Sequence, residues 1–225
     1  MMMPFQMRRM PSQAPGKREP GFSLLELVIV LAIMMSISVV AIPLIANTTK
    51  QYRLREAGVD YANLLQQARV RAIQDDKYYT VLTALNSSTG GYYAYIDLAG
   101  SSTYASPDPM IVFSVGVIPQ AFNSGPALSN LESQFLPAGA SSINSVATAA
   151  AGPTFGPRGL PCTTQAVGGS GGLGSGTACP YVPPTSFITF FQSSQTSVWE
   201  AVTVTPAARI REWSSSDSST WSPLN

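Results

Sequence analysis

Gly21-Phe22-Ser23-Leu24-Leu25-Glu26 opens the stretch that decides the fold, and residues 27–46 complete it with twenty positions that carry no charge. The run 22–46 is long enough to span a bilayer as a helix, since about 20 apolar residues suffice. One acid, Glu26, lies just inside it. A carboxylate at a bilayer centre costs roughly 2.5–3.5 kcal/mol, so this one asks for a partner. The leader before it carries Arg8, Arg9, Lys17 and Arg18 against Glu19. The positive-inside rule keeps residues 1–20 cytoplasmic and sends the remainder across. Met7 and Met10 are alternative initiators that would shorten the leader without moving the Gly21–Phe22 junction.

Three readings of this segment compete. A secretory signal peptide has an apolar core of about 7–15 residues and a small-residue cleavage site. This run is longer, and an acid inside it fits poorly. A plain single-pass anchor explains the length but not Glu26. The third reading rests on the residues themselves. Gly21-Phe22-Ser23-Leu24-Leu25-Glu26-Leu27 resembles the class III signal of type IV pilins and pseudopilins: a Gly, then a Phe that becomes N-methylated, with Glu fifth after the cut. The resemblance implies that a prepilin peptidase cuts after Gly21 and methylates the Phe22 amine. It also implies that Glu26 pairs with that amine on a neighbouring subunit. Breaking a buried pair of this kind costs about 3–5 kcal/mol, which favours register between subunits. Pro43 removes a backbone donor late in the run; pilins carry a similarly placed proline where the helix bends or loosens. A helix end at the membrane surface is the other reading of Pro43.

Past the anchor, Leu54, Ala57, Tyr61, Leu64, Leu65, Ala68, Ala72 and Ile73 recur at spacings of three and four, which predicts an amphipathic helix over 47–76. Gly58 reads as a weak point on an exposed helix, costing about 1 kcal/mol against Ala. Asp75-Asp76-Lys77 ends the periodicity. The run Leu64–Ile73, with its Leu-x-x-x-Ala-Arg-x-x-Ala-Ile pattern, resembles the H-type (GspH/FimT-like) branch. That branch holds the minor pseudopilin of type II secretion and the T-type fimbrial minor pilin.

The rest reads as a β-rich head over 77–213. Residues 78–85 and 92–98 are a hairpin around Asn86-Ser87-Ser88-Thr89-Gly90-Gly91. Residues 110–118 are one further strand. Residues 123–185 are rich in Ala, Ser, Gly and Pro and demand little regular structure, apart from a short strand or turn at 131–136. Residues 187–191, 198–205 and 209–213 form a meander, with Val198, Val202 and Val204 on one face of its middle strand and Trp199 and Thr203 on the other. Residues 214–225 are a polar, frayed tail. Phe155-Gly156-Pro157-Arg158-Gly159 and Ala208-Arg209-Ile210-Arg211 resemble late elements of the H-type branch, which has Gly where this chain has Ala208. If that Gly serves a positive-φ turn, Ala208 is strained.

The fold class expected is α+β: a long N-terminal transmembrane and stem helix packed on an antiparallel sheet, the pilin fold. It divides into a leader (1–21), an anchor or filament-core helix (22–46), the stem (47–76), the head and the tail. Cys162 and Cys179 flank a Gly-rich loop and suit a disulfide in an oxidising compartment, worth about 3 kcal/mol in the chain-entropy account; two buried thiols are the alternative.

The chain has 225 residues, a net charge of +1, 11% charged residues and no histidine. The commonest general base and metal ligand is therefore missing. There is no Cys–His pair, phosphate loop or metal-ligand cluster, so no enzyme, cofactor or metal is expected. The acids at 75, 76, 97, 108, 132, 200, 212 and 217 read as scattered and solvated.

Arg209 and Arg211 share one face of a strand with Trp213 in line. They could grip phosphate and stack a base, or form a solvated face pairing with Glu200 or Glu212; in some T-type relatives a similar Gly-Arg-x-Arg element is associated with DNA binding during uptake. Two arginines at this net charge make a weak electrostatic footprint. The function expected is a minor pilin or pseudopilin of a bacterial type II secretion system or type IV pilus. Such a subunit is single-pass in the inner membrane with its head periplasmic. Its partners are prepilin peptidase, other pilins and exported cargo, with DNA as the alternative.

Overall fold

The computed structural model describes residues 23–120, 131, 143–145, 152–162, 186–193, 197–217 and 219–224, with backbone alone at 43 and 143–145. The architecture is α+β. One 52-residue helix, α1 (Leu24–Asp75), precedes a series of strands. The chain divides into two compact units, residues 1–44 and 45–225.

In the first unit the helix shows apolar side chains on every side, Leu24, Leu27, Ile33, Val39 and Ile42 among them. Ser36 and Ser38 turn their hydroxyls back to donate to the carbonyls of Ala32 (2.9 Å) and Met34 (2.7 Å). Their polarity is thus satisfied within the helix, as a lipid-facing surface requires. By length and composition this helix is apolar enough to cross a membrane. It continues through position 43 without a break.

In the second unit the stem face reads as the spacing predicts. Leu54, Ala57, Tyr61, Leu64, Leu65, Ala68 and Ala72 are buried. Ile73 is the exception: it stays 49% exposed because it falls in the last turn, at the edge of the packed face. The helix stops where Asp76 turns to φ 53° and the Lys77 N–H donates back to the Ala72 carbonyl over 3.2 Å. This six-residue closure satisfies a terminal carbonyl.

Two sheets follow. The first has the order β3-β2-β1-β6-β7, built from β1 (Tyr79–Leu85), β2 (Tyr92–Asp97), β3 (Met110–Val112), β6 (Thr154–Phe155) and β7 (Pro161–Cys162), with every pairing antiparallel. The expected hairpin is β1–β2, with Leu85 opposite Tyr92. The second sheet has the order β11-β10-β9-β8-β4, from β4 (Val117–Gln120), β8 (Ser186–Ser193), β9 (Trp199–Val204), β10 (Ile210–Ser215) and β11 (Ser222–Leu224). The strand β5 (Ile143–Ser145) adds in parallel to the start of β8. The expected meander is β8–β9–β10.

Four sequence readings need correction. Residues 110–118 are two strands in different sheets, because Gly116 at φ 92° and the Val117 N–H donated to the Ser114 carbonyl make a turn between them. Residues 123–185 contain β5, β6 and β7; Leu131 is buried, and 132–136 lie outside the described residues. The described part of the tail, 214–217 and 219–224, is not frayed. Asp217 accepts hydrogen bonds from the backbone N–H groups of Ser219 and Thr220 and from the Ser215 and Thr220 hydroxyls, which turns the chain back. β11 then pairs with β10, and Trp221 is 4% exposed. Several acids are not solvated. Asp97 and Asp108 are buried and accept backbone N–H groups of Ser101, Ser102, Leu98 and Ala105, which fold the connection between β2 and β3 around them.

The core has two parts. One buries the stem face against both sheets: Val81, Ile96 and Phe155 from the first, Phe187, Phe191, Val202 and Val204 from the second. The Phe191 ring meets Tyr61 edge-on at 5.4 Å and Phe113 at 5.3 Å, pairs that add to burial. The other lies on the reverse face of the meander, where Ile188, Phe190, Trp199, Ala201 and Trp213 pack with Leu131 and Trp221.

Candidate functional site

Of the N-terminal signal, the described part starts at Ser23. The Leu27 N–H donates to the Ser23 carbonyl over 3.1 Å, so Ser23 stands at the helix entrance and Glu26 in the first turn. A carboxylate there also meets the positive end of the helix dipole, a local role that sequence reading missed. The Ser23-x-x-Glu26 spacing, a helix-start signature, was the signal for it. Gly21, Phe22 and the leader lie outside the described residues.

The second concentration of unusual chemistry is the seam between stem and head. Gly58 is buried under β9, and a methyl group there would sit 2.6 Å from Glu200 Oε2. It is no exposed weak point: the missing side chain makes room for a carboxyl. Glu200 is only 5% exposed. Burial, reinforced by the Glu212 carboxylate and opposed by Arg55, pushes its pKa up to about 8. Glu212 is raised as well, by burial against the opposing pull of Arg55. About three turns beyond Gly58 along α1, Arg69 reaches the turn between β9 and β10, and Gly159 (φ 69°) lies close against Ile73 and Arg69.

Arg209 is exposed and precedes β10, while Arg211 is half-buried within it. Both line a groove with Gln66, Glu212 and Pro223. Trp213 is not available to stack a base. Its ring is fully buried in the second core, and its Nε1–H donates to Thr203 Oγ1 over 2.9 Å. Cys162 ends β7 and is not a free thiol; Cys179 lies outside the described residues. Among the described residues no three His, Cys, Asp or Glu side chains gather as metal ligands do.

No curated protein and no solved structure matches this chain. The family model that does match is described as the prokaryotic N-terminal methylation motif, and it covers residues 16–42. That segment spans the Gly21–Phe22 junction, Glu26 and most of the apolar helix. The chain therefore carries, at its N-terminal end, the prepilin-type methylation signal of type IV pilin-like proteins.

Proposed function

We propose that this chain is a non-enzymatic minor pilin or pseudopilin of the H type, assembled into the filament of a type II secretion system or a type IV pilus. The observation that carries the reading is Glu26 in the first turn of a helix whose surface over the following turns is apolar on all sides. That surface needs lipid before assembly and other helices after it. Prepilin peptidase cuts between Gly21 and Phe22 and methylates Phe22. The new cationic amine of one subunit then neutralises Glu26 of the next, a partner worth several kcal/mol in hydrocarbon. The chain sits once through the inner membrane with its leader cytoplasmic, Pro43 loosens the helix on assembly, and the periplasmic head meets other subunits or exported cargo. In that oxidising space Cys162 pairs with Cys179. Mass spectrometry of the membrane-extracted protein tests the processing step: a mature N-terminus at methylated Phe22 is expected. Glu26→Gln should abolish incorporation into filaments, and normal incorporation would remove the reading.

The DNA-contacting alternative rests on Arg209 and Arg211 lining one groove. Glu212 in the same groove opposes it. Arg209→Ala with Arg211→Ala should lower DNA affinity and flatten its salt dependence; unchanged affinity would discard this alternative.

A further inference from the structure

A cleft of about 580 Å³ lies between the 48–55 stretch of α1 and the β9–β10–β11 end of the second sheet. Glu200 lines it. No hydrogen bond reaches the Glu200 carboxyl among the described residues. A buried carboxyl in that state carries a desolvation cost that nothing offsets fully. The charged groups around it are Arg55 from α1, Glu212 from β10 and Asp217 from the turn before β11. Asp217 is held by its own turn and is not free to act. That leaves two carboxyls against one guanidinium. The exposed Tyr52 ring and the hydroxyls of Ser214 and Ser222 complete the lining.

We propose that this cleft binds an organic cation, a guanidinium or ammonium group of the kind Arg and Lys side chains carry, held between Glu200 and the face of Tyr52. A cation supplies the partner that Glu200 lacks, and a charge-assisted hydrogen bond to a carboxylate is among the stronger ones. An aromatic face attracts the same charge, and serine oxygens accept its N–H groups. A hard metal ion fits less well, since it takes six or more oxygen ligands. When the cation enters, the Glu200 carboxyl releases its proton to solvent and its oxygens accept the N–H donors. Binding thus consumes no other reactant and tightens as pH rises. Gly58 keeps the inner wall open for the carboxyl. The site stands whether or not the chain enters a filament.

The test is titration of the full chain in detergent micelles with ethylguanidinium and, separately, ethylammonium, by calorimetry at pH 6, 7.5 and 9. Saturable binding is expected for at least one of them, roughly tenfold or more tighter at pH 9 than at pH 6, with proton release at the middle pH. Glu200→Gln should remove the pH dependence. Tyr52→Leu, at an exposed position that folding does not need, should weaken binding about two- to fivefold and leave the pH dependence intact. If Glu200→Gln does not fold, the pH profile and Tyr52→Leu decide. Absence of saturable binding at pH 9, or binding insensitive to both pH and Tyr52→Leu, would overturn the assignment. The relative affinity of the two probes tells whether the site prefers an Arg-like or a Lys-like group.

Discussion

The Arg69 guanidinium and the Ala208 carbonyl, 139 residues apart in sequence, meet through an Nη1–H donated over 3.1 Å. Arg69 Nε is buried beside this bond with no partner. The contact ties the turn between β9 and β10 to the stem helix. Arg69→Met should lower stability by about 1.5–3 kcal/mol in chemical denaturation, the range for a hydrogen bond to a charged group. Arg69→Lys should recover part of that, because an ammonium lacks the planar fork. A neutral effect of Arg69→Met would mean the tie contributes nothing.

Ala208 holds φ 60° while almost wholly buried. The left-handed region costs a non-glycine residue roughly 1–2 kcal/mol. Ala208→Gly relieves that strain, and the greater freedom of glycine in the unfolded chain offsets some of the gain. A net stabilisation on the order of 1 kcal/mol is expected from the shift in denaturation midpoint. Destabilisation would show that the methyl group contributes more by packing than it costs in strain.

Glu200 sets a pH dependence with a definite sign. Its folded-state pKa, about 8, stands above the ordinary carboxyl value of 4.5. The folded chain therefore binds this proton more tightly than the unfolded one. Its contribution is complete below the ordinary value and is lost as pH climbs towards the folded one. The slope is at most about 1.4 kcal/mol per pH unit, reduced by solvent in the cleft. Thermal melts of wild type and Glu200→Gln across pH 5–9 should diverge on the alkaline side, with the variant less sensitive. Parallel curves would contradict this.

Gly58→Ala places a methyl group 2.6 Å from Glu200 Oε2. Overpacking of this kind costs about 1–3 kcal/mol, although alanine is the better helix former by up to about 1 kcal/mol. Combining it with Glu200→Ala should restore stability beyond the sum of the single effects, a coupling that a double-mutant cycle measures. Additive behaviour would show that the two positions do not touch in solution.

Trp221 separates a frayed tail from a packed one. Trp221→Ala should cost about 3–5 kcal/mol if the ring is a core element. A loose tail would give a change close to zero in the same denaturation experiment.

The apolar anchor was legible in the sequence because an uncharged run of that length has few other uses, and the packed stem face because its apolar residues recur at spacings of three and four. The β1–β2 hairpin and the meander were legible for a similar reason, with β-branched and aromatic runs set off by turn residues. The strained Ala208 came from a single mismatch with a related pattern. Burial from the second side was not legible. Trp213 read as open to a base, yet Leu131 and Trp221, distant in sequence, cover it together with Trp199. Glu200 looked like any surface acid, since nothing local says that Gly58 will leave a hollow beneath it. Asp97 and Asp108 looked the same, because a carboxylate that organises its own loop has no signature beyond the loop. Residues 110–118 read as one strand because their apolar content is continuous, and only the Gly116 backbone reveals the turn.

The meander has one hydrophobic layer shared with the stem and another that the stem never touches. Its amides should accordingly be the slowest to exchange with deuterated solvent, since both sides must open before water reaches them. The same lamination gives the head a reserve: prising the stem away strips one layer and leaves β8, β9 and β10 clasped by the other. A chain pulled at its stem helix then yields at the seam first, while the three strands hold their order.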